Sequence, residues 1–310
     1  MHWLLAVLIG HLFNAIAFVI DKILLTKAFQ NPFVYAFFIG ALGSIVFVLI
    51  PFGVEIPEAG LIVLNLVAGA LFIVALLFFF HALKGAEASR IVPFIGGGIP
   101  LFTLAFEHFF LEGGVSLTTR DLIAFGILVL GTVMIAVELG DNANTAEEEQ
   151  PEAMGLKAWI YGVLAALAFA VSFGMTKIAY DTQPFISAFT WMRFGSLAVA
   201  LLFLLSSNVR KEIAQAFGTL KTKTGALFLG SQAMGGLGFV CINYAISLAS
   251  VSLVNALQGV QYAFLLILAV VASLKYPKML QESMNKKTLI LKSVAVVVIG
   301  VGLYMVSIGL

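Results

Sequence analysis

Charged residues are scarce in this 310-residue chain: Asp, Glu, Lys and Arg make up 11% of it, against roughly 25% in a soluble globular domain. Hydrophobic residues make up 61%, and the mean hydropathy is +1.08. This composition indicates an integral membrane protein. The net charge of +1 provides no argument for a nucleic-acid partner. With Cys241 as the single cysteine, an internal disulfide is excluded.

Catalytic and metal-binding motifs are also missing. The sequence contains no HExxH, GxSxG, CxxC or Walker A pattern, and no metal-ligand set has suitable spacing. A membrane aspartyl protease needs two aspartates at mid-membrane depth, whereas Asp21 and Asp181 both lie at the ends of apolar runs. We therefore expect no enzyme activity, no metal and no cofactor.

Long apolar runs fill most of the chain. A helix needs about 20 mainly apolar residues to cross a hydrocarbon core of about 30 Å. Such runs lie near residues 3–21, 33–51, 61–83, 91–111, 121–138, 157–177, 184–205, 224–247, 251–273 and 289–307. The sequence therefore predicts an all-α membrane protein with ten transmembrane helices. A polar and acidic stretch, 139–156, is predicted to be a linker between the fifth and the sixth.

The two sides of this linker resemble each other. The aligned segments are AFVIDKI (17–23) with SFGMTKI (172–178), NPFVYAFF (31–38) with QPFISAFT (183–190), HALKGAEASRIV (81–92) with YAISLASVSLVN (244–255), and LGTVMIAV (130–137) with IGVGLYMV (299–306). We interpret 1–138 and 157–310 as two five-helix repeats. Because five crossings are an odd number, the second repeat is inverted in the membrane. Inverted repeats are a transporter architecture, with the substrate site near the midplane between the halves.

Positive charge sets the expected orientation, because cytoplasmic loops are rich in Lys and Arg. One side has little more than Arg120 and Lys177. The other side carries Lys22, Lys27, Lys84, Arg90, Lys157, Arg210, Lys211, Lys221, Lys223, Lys275, Lys278, Lys286 and Lys287. We therefore expect a multi-pass protein of the cell membrane, plasma or inner, with both termini outside and the linker 139–156 in the cytoplasm.

Several segments carry a family resemblance. They are FVIDK and FGMTK at the ends of the first span of each half, WMRFGSLAVALLFLL (191–205), and ALKGAEASRIVPFIGGGIPLFTLAFEHFFLEGGVSL (82–117). Over nearly its whole length the chain resembles the EamA-type transporters of the drug/metabolite transporter superfamily. The resemblance implies ten helices in two inverted halves around a central cavity. It also implies export or exchange of small metabolites by alternating access.

Polar residues in the first span share one helix stripe. His11, Asn14 and Phe18 follow the spacing i, i+3, i+7. His11 is close to mid-depth, and an imidazole changes charge near neutral pH, so it is a candidate for proton coupling. The alternative is a neutral histidine that bonds to another helix.

A second stripe lies in the ninth span, where Asn255, Gln258 and Tyr262 follow the same spacing. These side chains offer donors and acceptors to a substrate, or else to neighbouring helices. Arg193 stands roughly 13 Å into the seventh span. It either attracts an anionic group of the substrate or a coupled carboxylate, or it serves as a structural strut.

The fourth span contains a run of three glycines, 96–98, between Pro93 and Pro100. Gly97 at its centre is predicted to lie in a cavity-lining hinge or moving seam, with simple helix packing as the alternative. Glu107 and His81 lie near span ends and are weaker candidates for proton coupling.

Two classes of function fit these patterns. The first is a secondary transporter for a small metabolite or amphipathic compound. The second is a flippase for a lipid or lipid-linked carrier, which needs a lateral opening between helices. We expect the protein to contact its substrate and the membrane lipids as a monomer or homodimer, with no nucleic acid.

Overall fold

A computed structural model describes residues 2–25, 31–84, 88–111, 118–136, 156–220, 222–275 and 286–308. These residues contain helices and no strand. The helices are α1 (His2–Leu25), α2 (Pro32–Leu42), α3 (Ala59–Lys84), α4 (Ala88–Phe110), α5 (Thr119–Ala136), α6 (Leu156–Thr182), α7 (Phe185–Leu202), α8 (Ser207–Leu220), α9 (Lys223–Leu248), α10 (Val251–Ala256), α11 (Gln258–Lys275) and α12 (Lys286–Ile308). Short 3₁₀ segments, Gly43–Phe52 and Phe203–Leu205, extend α2 and α7.

Six helical segments are long and apolar enough to cross a membrane: His2–Ile20, Pro32–Phe52, Ala59–Lys84, Leu156–Thr182, Phe185–Leu205 and Lys223–Leu248. Two shorter apolar helices cover Phe94–Phe110 and Ile290–Val306. The prediction of an all-α membrane protein is confirmed to this extent. Ten crossings and an inverted repeat stay predictions. The predicted linker 139–156 lies outside the described residues, except for Leu156 at the start of α6.

Local sequence explains where the second helical segment begins and ends. The Asn31 side chain accepts a hydrogen bond of 2.9 Å from the Phe33 amide, and Pro32 occupies the first turn, where its missing N–H costs nothing. At the other end Gly53 has a φ of 99°, which a residue with a side chain rarely adopts. The segment is therefore fixed at both ends.

Helix α8 was not among the predicted elements, because its residues are too polar for a span. Its apolar positions Val209, Ile213 and Ala216 follow the spacing i, i+4, i+7 and are buried. They pack in a cluster with Val34 and Phe38 of α2. The helix therefore covers α2 with one face, and the 3.6-residue period in a short polar run was the signal for it.

Buried hydroxyl groups fasten the central helices to one another. Ser172 of α6 donates to the Ala68 carbonyl of α3 at 2.8 Å, and Ser196 of α7 donates to the Gly69 carbonyl of α3 at 2.9 Å. Ser231 of α9 donates to the Ala17 carbonyl of α1 at 3.0 Å. Small polar side chains permit close helix contact in lipid. Helix α3 thus lies against α6 and α7, and α1 lies against α9 and α11, with α4 against α6.

Candidate functional site

A cavity lies between α1, α3, α4, α6, α9, α10 and α11. It contains about 830 Å³ of space free of protein atoms, including the part open to solvent. The described residues that line it are His11, Asn14, Phe18, Phe72, Leu76, Phe79, Ile95, Gly96, Ile99, Phe169, Phe173, Phe239, Ile242, Asn255, Gln258, Gln261 and Tyr262. The cavity therefore has an apolar wall from α3, α6 and α9, and a polar wall from α1, α10 and α11.

The apolar wall is built from phenylalanine rings that contact one another. The Phe72 ring centroid lies 4.8 Å from that of Phe239 and 5.8 Å from that of Phe169. Phe169 and Phe173 stack with their centroids 5.9 Å apart. Aromatic rings at these separations attract one another through their quadrupoles. The wall therefore offers flat apolar faces in a preformed arrangement.

On the polar wall, His11 of α1 is hydrogen-bonded to Gln261 of α11. The His11 Nδ1 lies 3.2 Å from the Gln261 Oε1, and because an amide oxygen only accepts, Nδ1 is the donor. The other ring nitrogen, Nε2, is buried and has no hydrogen-bond partner among the described residues. In the neutral ring this nitrogen is an acceptor, and its hydrogen-bonding capacity is unused within the described chain.

Asn255 contributes a donor to the same wall. Its side chain is only 7% exposed, and its Nδ2 finds no partner within the described parts of the chain. Asn255 lies near the end of α10, and α11 begins only after Leu257, whose carbonyl accepts from the Val260 amide at 2.9 Å. The predicted ninth span is therefore broken beside the cavity into α10 and α11.

The glycine run of α4 meets this polar wall at one position. A Cβ atom at position 96 would lie 2.7 Å from the Tyr262 hydroxyl oxygen, so the absence of a side chain at Gly96 makes room for the phenol. Pro100 has no N–H, so the Gly96 carbonyl lacks its usual helical donor. Prolines and glycines in an apolar helix are tolerated where the helix lines a cavity, and this is where the structure places Gly96.

Six of the residues predicted to bind substrate line this one cavity: His11, Asn14, Phe18, Asn255, Gln258 and Tyr262. Gly97 is not among the described lining residues. A Cβ atom there would lie 3.1 Å from Val133 of α5, whereas its neighbours on either side approach Tyr262 and Ala166. Successive helical residues point about 100° apart, so Gly97 faces α5 of the same predicted half rather than a seam with the other half.

Arg193 of α7 lies behind the apolar wall. Its guanidinium carbon is 4.6 Å from the ring centroid of Phe239, 5.2 Å from that of Phe189 and 5.5 Å from that of Phe72. The side chain is 6% exposed, and its Nε has no hydrogen-bond partner in the described chain. Three aromatic faces therefore surround the cation, and two of these rings separate it from the cavity.

The remaining predicted residues also lie apart from the cavity lining. Glu107 is buried and caps α10: its carboxylate accepts hydrogen bonds from the Val251 amide at 2.8 Å, the Ser252 amide at 3.1 Å and the Ser250 hydroxyl at 3.0 Å. The His81 Nδ1 donates to the Leu77 carbonyl one turn earlier at 2.8 Å. Both side chains thus have structural partners in this conformation, Glu107 on another helix and His81 on its own.

The phenylalanines of the apolar wall were missed by the sequence reasoning, which looked for polar stripes. Phe169 and Phe173 are spaced i, i+4, and Phe72, Leu76 and Phe79 are spaced i, i+4, i+7. Such stripes also occur in any helix packed in a core, so spacing alone gave no reason to select them. Among the described residues no group of His, Cys, Asp and Glu is placed to hold a metal ion.

Comparison with known proteins gives the fold. No protein-family model matches the chain, and no curated protein sequence does. Among solved structures, 28 chains match. One, described only as "Crystal structure of protein", has a TM-score of 0.67 and 17% sequence identity, and the match covers 99% of this chain and 96% of that one. A likeness at this identity shows that the whole chain adopts a fold already seen in a solved structure.

Proposed function

We propose that the protein is a secondary transporter of the EamA type, which moves a small metabolite or amphipathic compound across the cell membrane by alternating access. The observation that carries the proposal is the central cavity, because the predicted repeats contribute to it at equivalent positions. An inverted-repeat transporter binds its substrate at the interface of the two repeats.

The equivalent positions follow from the segment alignments, extended without gaps along each helix. The counterparts that both line the cavity are Asn14 with Phe169, Phe18 with Phe173, Leu76 with Phe239, Phe79 with Ile242, Ile95 with Gln258, and Ile99 with Tyr262. Unrelated halves would give no reason for counterparts to meet in one cavity. This pairing therefore supports both the repeat and a central site.

Helix packing supports the same proposal. The repeat alignment exchanges α1 with α6, α3 with α9, and α4 with the α10–α11 pair. Under this exchange the packing of α1 against α9 becomes the packing of α6 against α3, and both pairs are in extensive contact. The packing of α1 against α11 likewise becomes that of α6 against α4. Two halves related in this way can rock about a fixed site.

Proton coupling, if the transporter uses it, has His11 as its best placed candidate. His11 lines the cavity, and its Nε2 has no partner among the described residues. Glu107 and His81 are less suitable, because both are engaged by helix backbone away from the cavity lining.

The flippase alternative has less support. A lipid-linked carrier brings a phosphate, which proteins usually hold with Arg or Lys, and no Arg or Lys is among the described lining residues. The apolar wall of phenylalanines is the feature that would suit a lipid chain.

A two-stage experiment tests the proposed function. Purified protein is first screened by ligand-induced thermal shift against soluble metabolites and against lipid phosphates, because a ligand that binds the folded state raises the melting temperature. Compounds that shift it are then assayed for flux in liposomes. We expect flux of a soluble compound; binding and transbilayer movement of lipid phosphates alone would instead establish the flippase.

A further inference from the structure

We propose that the cavity takes an uncharged aromatic amide or lactam: a flat ring that carries at least one N–H donor and one carbonyl acceptor. This inference rests on the proposed function, because it names the substrate class of the same cavity. It is drawn from the charge of the lining, the shape of the apolar wall and two unpartnered polar atoms.

The lining determines the charge of the ligand. None of the described residues that line the cavity is Asp, Glu, Lys or Arg. An ion moved from water into such a site loses its hydration and finds no opposite charge among the described lining residues, which is costly. A zwitterionic amino acid would lose the hydration of two ions at once. The lining therefore favours a ligand without ionised groups.

Arg193 adds a reason against cations. Its guanidinium lies against Phe239 and Phe72, whose rings also line the cavity. A cationic ligand stacked on either ring would face a like charge through it, and no acidic side chain lines the described part of the cavity to offset this repulsion. An anion would be attracted through the ring but would form no direct ion pair with Arg193.

The rings of the apolar wall determine the shape of the ligand. Phe169 and Phe239 each lie close to Phe72, so the wall contains a group of adjoining aromatic rings beside the aliphatic Leu76 and Ile242. A planar aromatic molecule gains both apolar burial and favourable ring contacts on such a wall.

Two buried polar atoms determine what the ligand must carry at its edge. His11 is 4% exposed and Asn255 is 7% exposed; both line the cavity, and each has one atom without a partner among the described residues. The His11 Nε2 is an acceptor, because Nδ1 donates to Gln261. The Asn255 Nδ2 is a donor.

Buried polar atoms of this kind are costly unless they are paired. A ligand N–H directed at His11 and a ligand carbonyl directed at Asn255 would satisfy both. An amide or a lactam offers these two groups together and carries no charge near neutral pH. The acceptor and the donor on the polar wall therefore favour an amide or a lactam as the functional group.

Matched pairs of compounds test the inference on the full-length protein. The pairs are nicotinamide with nicotinate, indole-3-carboxamide with indole-3-carboxylate, and uracil with orotate, so that each pair keeps its ring and changes its charge. The cation 1-methylnicotinamide completes the set. Affinity is measured in detergent at neutral pH, and flux of the same compounds is measured in liposomes.

We expect at least one uncharged compound to bind. The affinity of its ionised partner should be lower by a factor of about ten or more, and the cation should not bind. Asn255→Leu keeps the approximate size of the side chain and removes the donor, so it should lower the affinity for the uncharged compound by about tenfold. The matched control is Gln232→Leu, which removes an amide that bonds to Tyr35 outside the described cavity lining. It should leave the affinity unchanged.

Equal or tighter binding of the ionised partners would overturn the inference, as would an Asn255→Leu variant with unchanged affinity. Failure of every uncharged compound to bind would overturn the inference too. If an ionised solute nevertheless crosses the membrane in the same liposomes, the proposed transport function is still supported. Binding of uncharged compounds with the expected loss in Asn255→Leu, but without flux of any compound, would support the inference and overturn the transport function.

Discussion

Helix α4 and the α10–α11 pair occupy equivalent places in the two predicted repeats, yet they contribute different chemistry to one cavity. Helix α4 is continuous and supplies Ile95, Gly96 and Ile99. Its counterpart is broken after α10 and supplies amides and a phenol, among them Asn255 and Tyr262. Of the two predicted copies, one thus provides space beside the cavity, and the other provides hydrogen-bonding groups.

Helix α4 and the α10–α11 pair also contact each other at two places along α4. Tyr262 fits over Gly96 beside the cavity, and Glu107 near the end of α4 caps the start of α10. A carboxylate at a helix N-terminus satisfies free amides and interacts favourably with the helix dipole. The short α10 therefore depends on α4 for its cap, and the buried carboxylate of Glu107 obtains its hydrogen-bond donors from the start of α10.

The largest expected effect comes from removal of this cap. Glu107→Ala deletes three accepted hydrogen bonds and leaves buried amides unpaired, so we expect a loss of about 3 kcal/mol in stability. The measurement is the melting temperature in detergent. Thr103→Val on the same helix is the control, because the Thr103 hydroxyl donates only to carbonyls of α4. A decrease no larger than that of Thr103→Val would mean that α10 does not need the cap.

The next effect concerns the face of α4 that turns away from the cavity. Gly97→Leu places a side chain against Val133, where even a Cβ atom would lie at 3.1 Å, so we expect overpacking to cost about 2 kcal/mol. Melting temperature should decrease, while the affinity of the folded protein for its substrate should change little. Normal stability with abolished flux would instead support the sequence-based interpretation of Gly97 as part of a moving seam.

A smaller effect is expected for the phenol of α11. Tyr262→Phe removes one hydroxyl from the cavity and should lower substrate affinity by about 1 kcal/mol, or roughly fivefold. Tyr180→Phe is the contrasting variant, because the Tyr180 hydroxyl donates to Asn243 at 2.9 Å and does not belong to the described lining. It should lower the melting temperature and leave affinity unchanged; the reverse pattern would place the ligand elsewhere.

The smallest effect is expected at Val260, the counterpart of Gly97 in the predicted repeat. Val260→Leu adds one methylene to a buried side chain in the hydrophobic core, so a loss of at most about 1 kcal/mol is expected. Comparison of its melting temperature with that of Gly97→Leu sharpens the contrast between the two repeats. A larger loss at Val260 than at Gly97 would show that α11, and not α4, is the more tightly packed helix here.

Helical spacing was sufficient to select residues that share one cavity, whose role as a substrate site stays a prediction. The stripes His11, Asn14, Phe18 and Asn255, Gln258, Tyr262 depend only on the 3.6-residue period, and the structure brings these residues into one cavity. Spacing could not orient Gly97, because in a run of three glycines no side chain marks which face is buried.

Contacts between residues distant in sequence were beyond sequence reasoning. The bonds from Val251 and Ser252 to Glu107 connect α4 with another helix, and no local pattern predicts which helix end a buried acid will cap. Of the rings around Arg193, Phe189 lies four residues earlier on the same helix, α7. The same limit applies to the other two, Phe72 and Phe239, which come from α3 and α9. Their placement depends on helix packing, for which the sequence offered only the repeat as a guide.

The most direct test of a cavity shared between the two regions is flux in liposomes for Gly96→Leu and Gly230→Leu. Leucine suits lipid and should leave insertion intact at both positions. At position 96 it would occupy the space beside Tyr262, whereas at Gly230 of α9 an added Cβ atom meets nothing within 4 Å. We predict abolished flux for Gly96→Leu and normal flux for Gly230→Leu, with flux compared per amount of folded protein because the contact with Tyr262 should also lower the melting temperature of Gly96→Leu. Normal flux in the Gly96→Leu variant would show that the space beside Tyr262 is not part of the transport cavity.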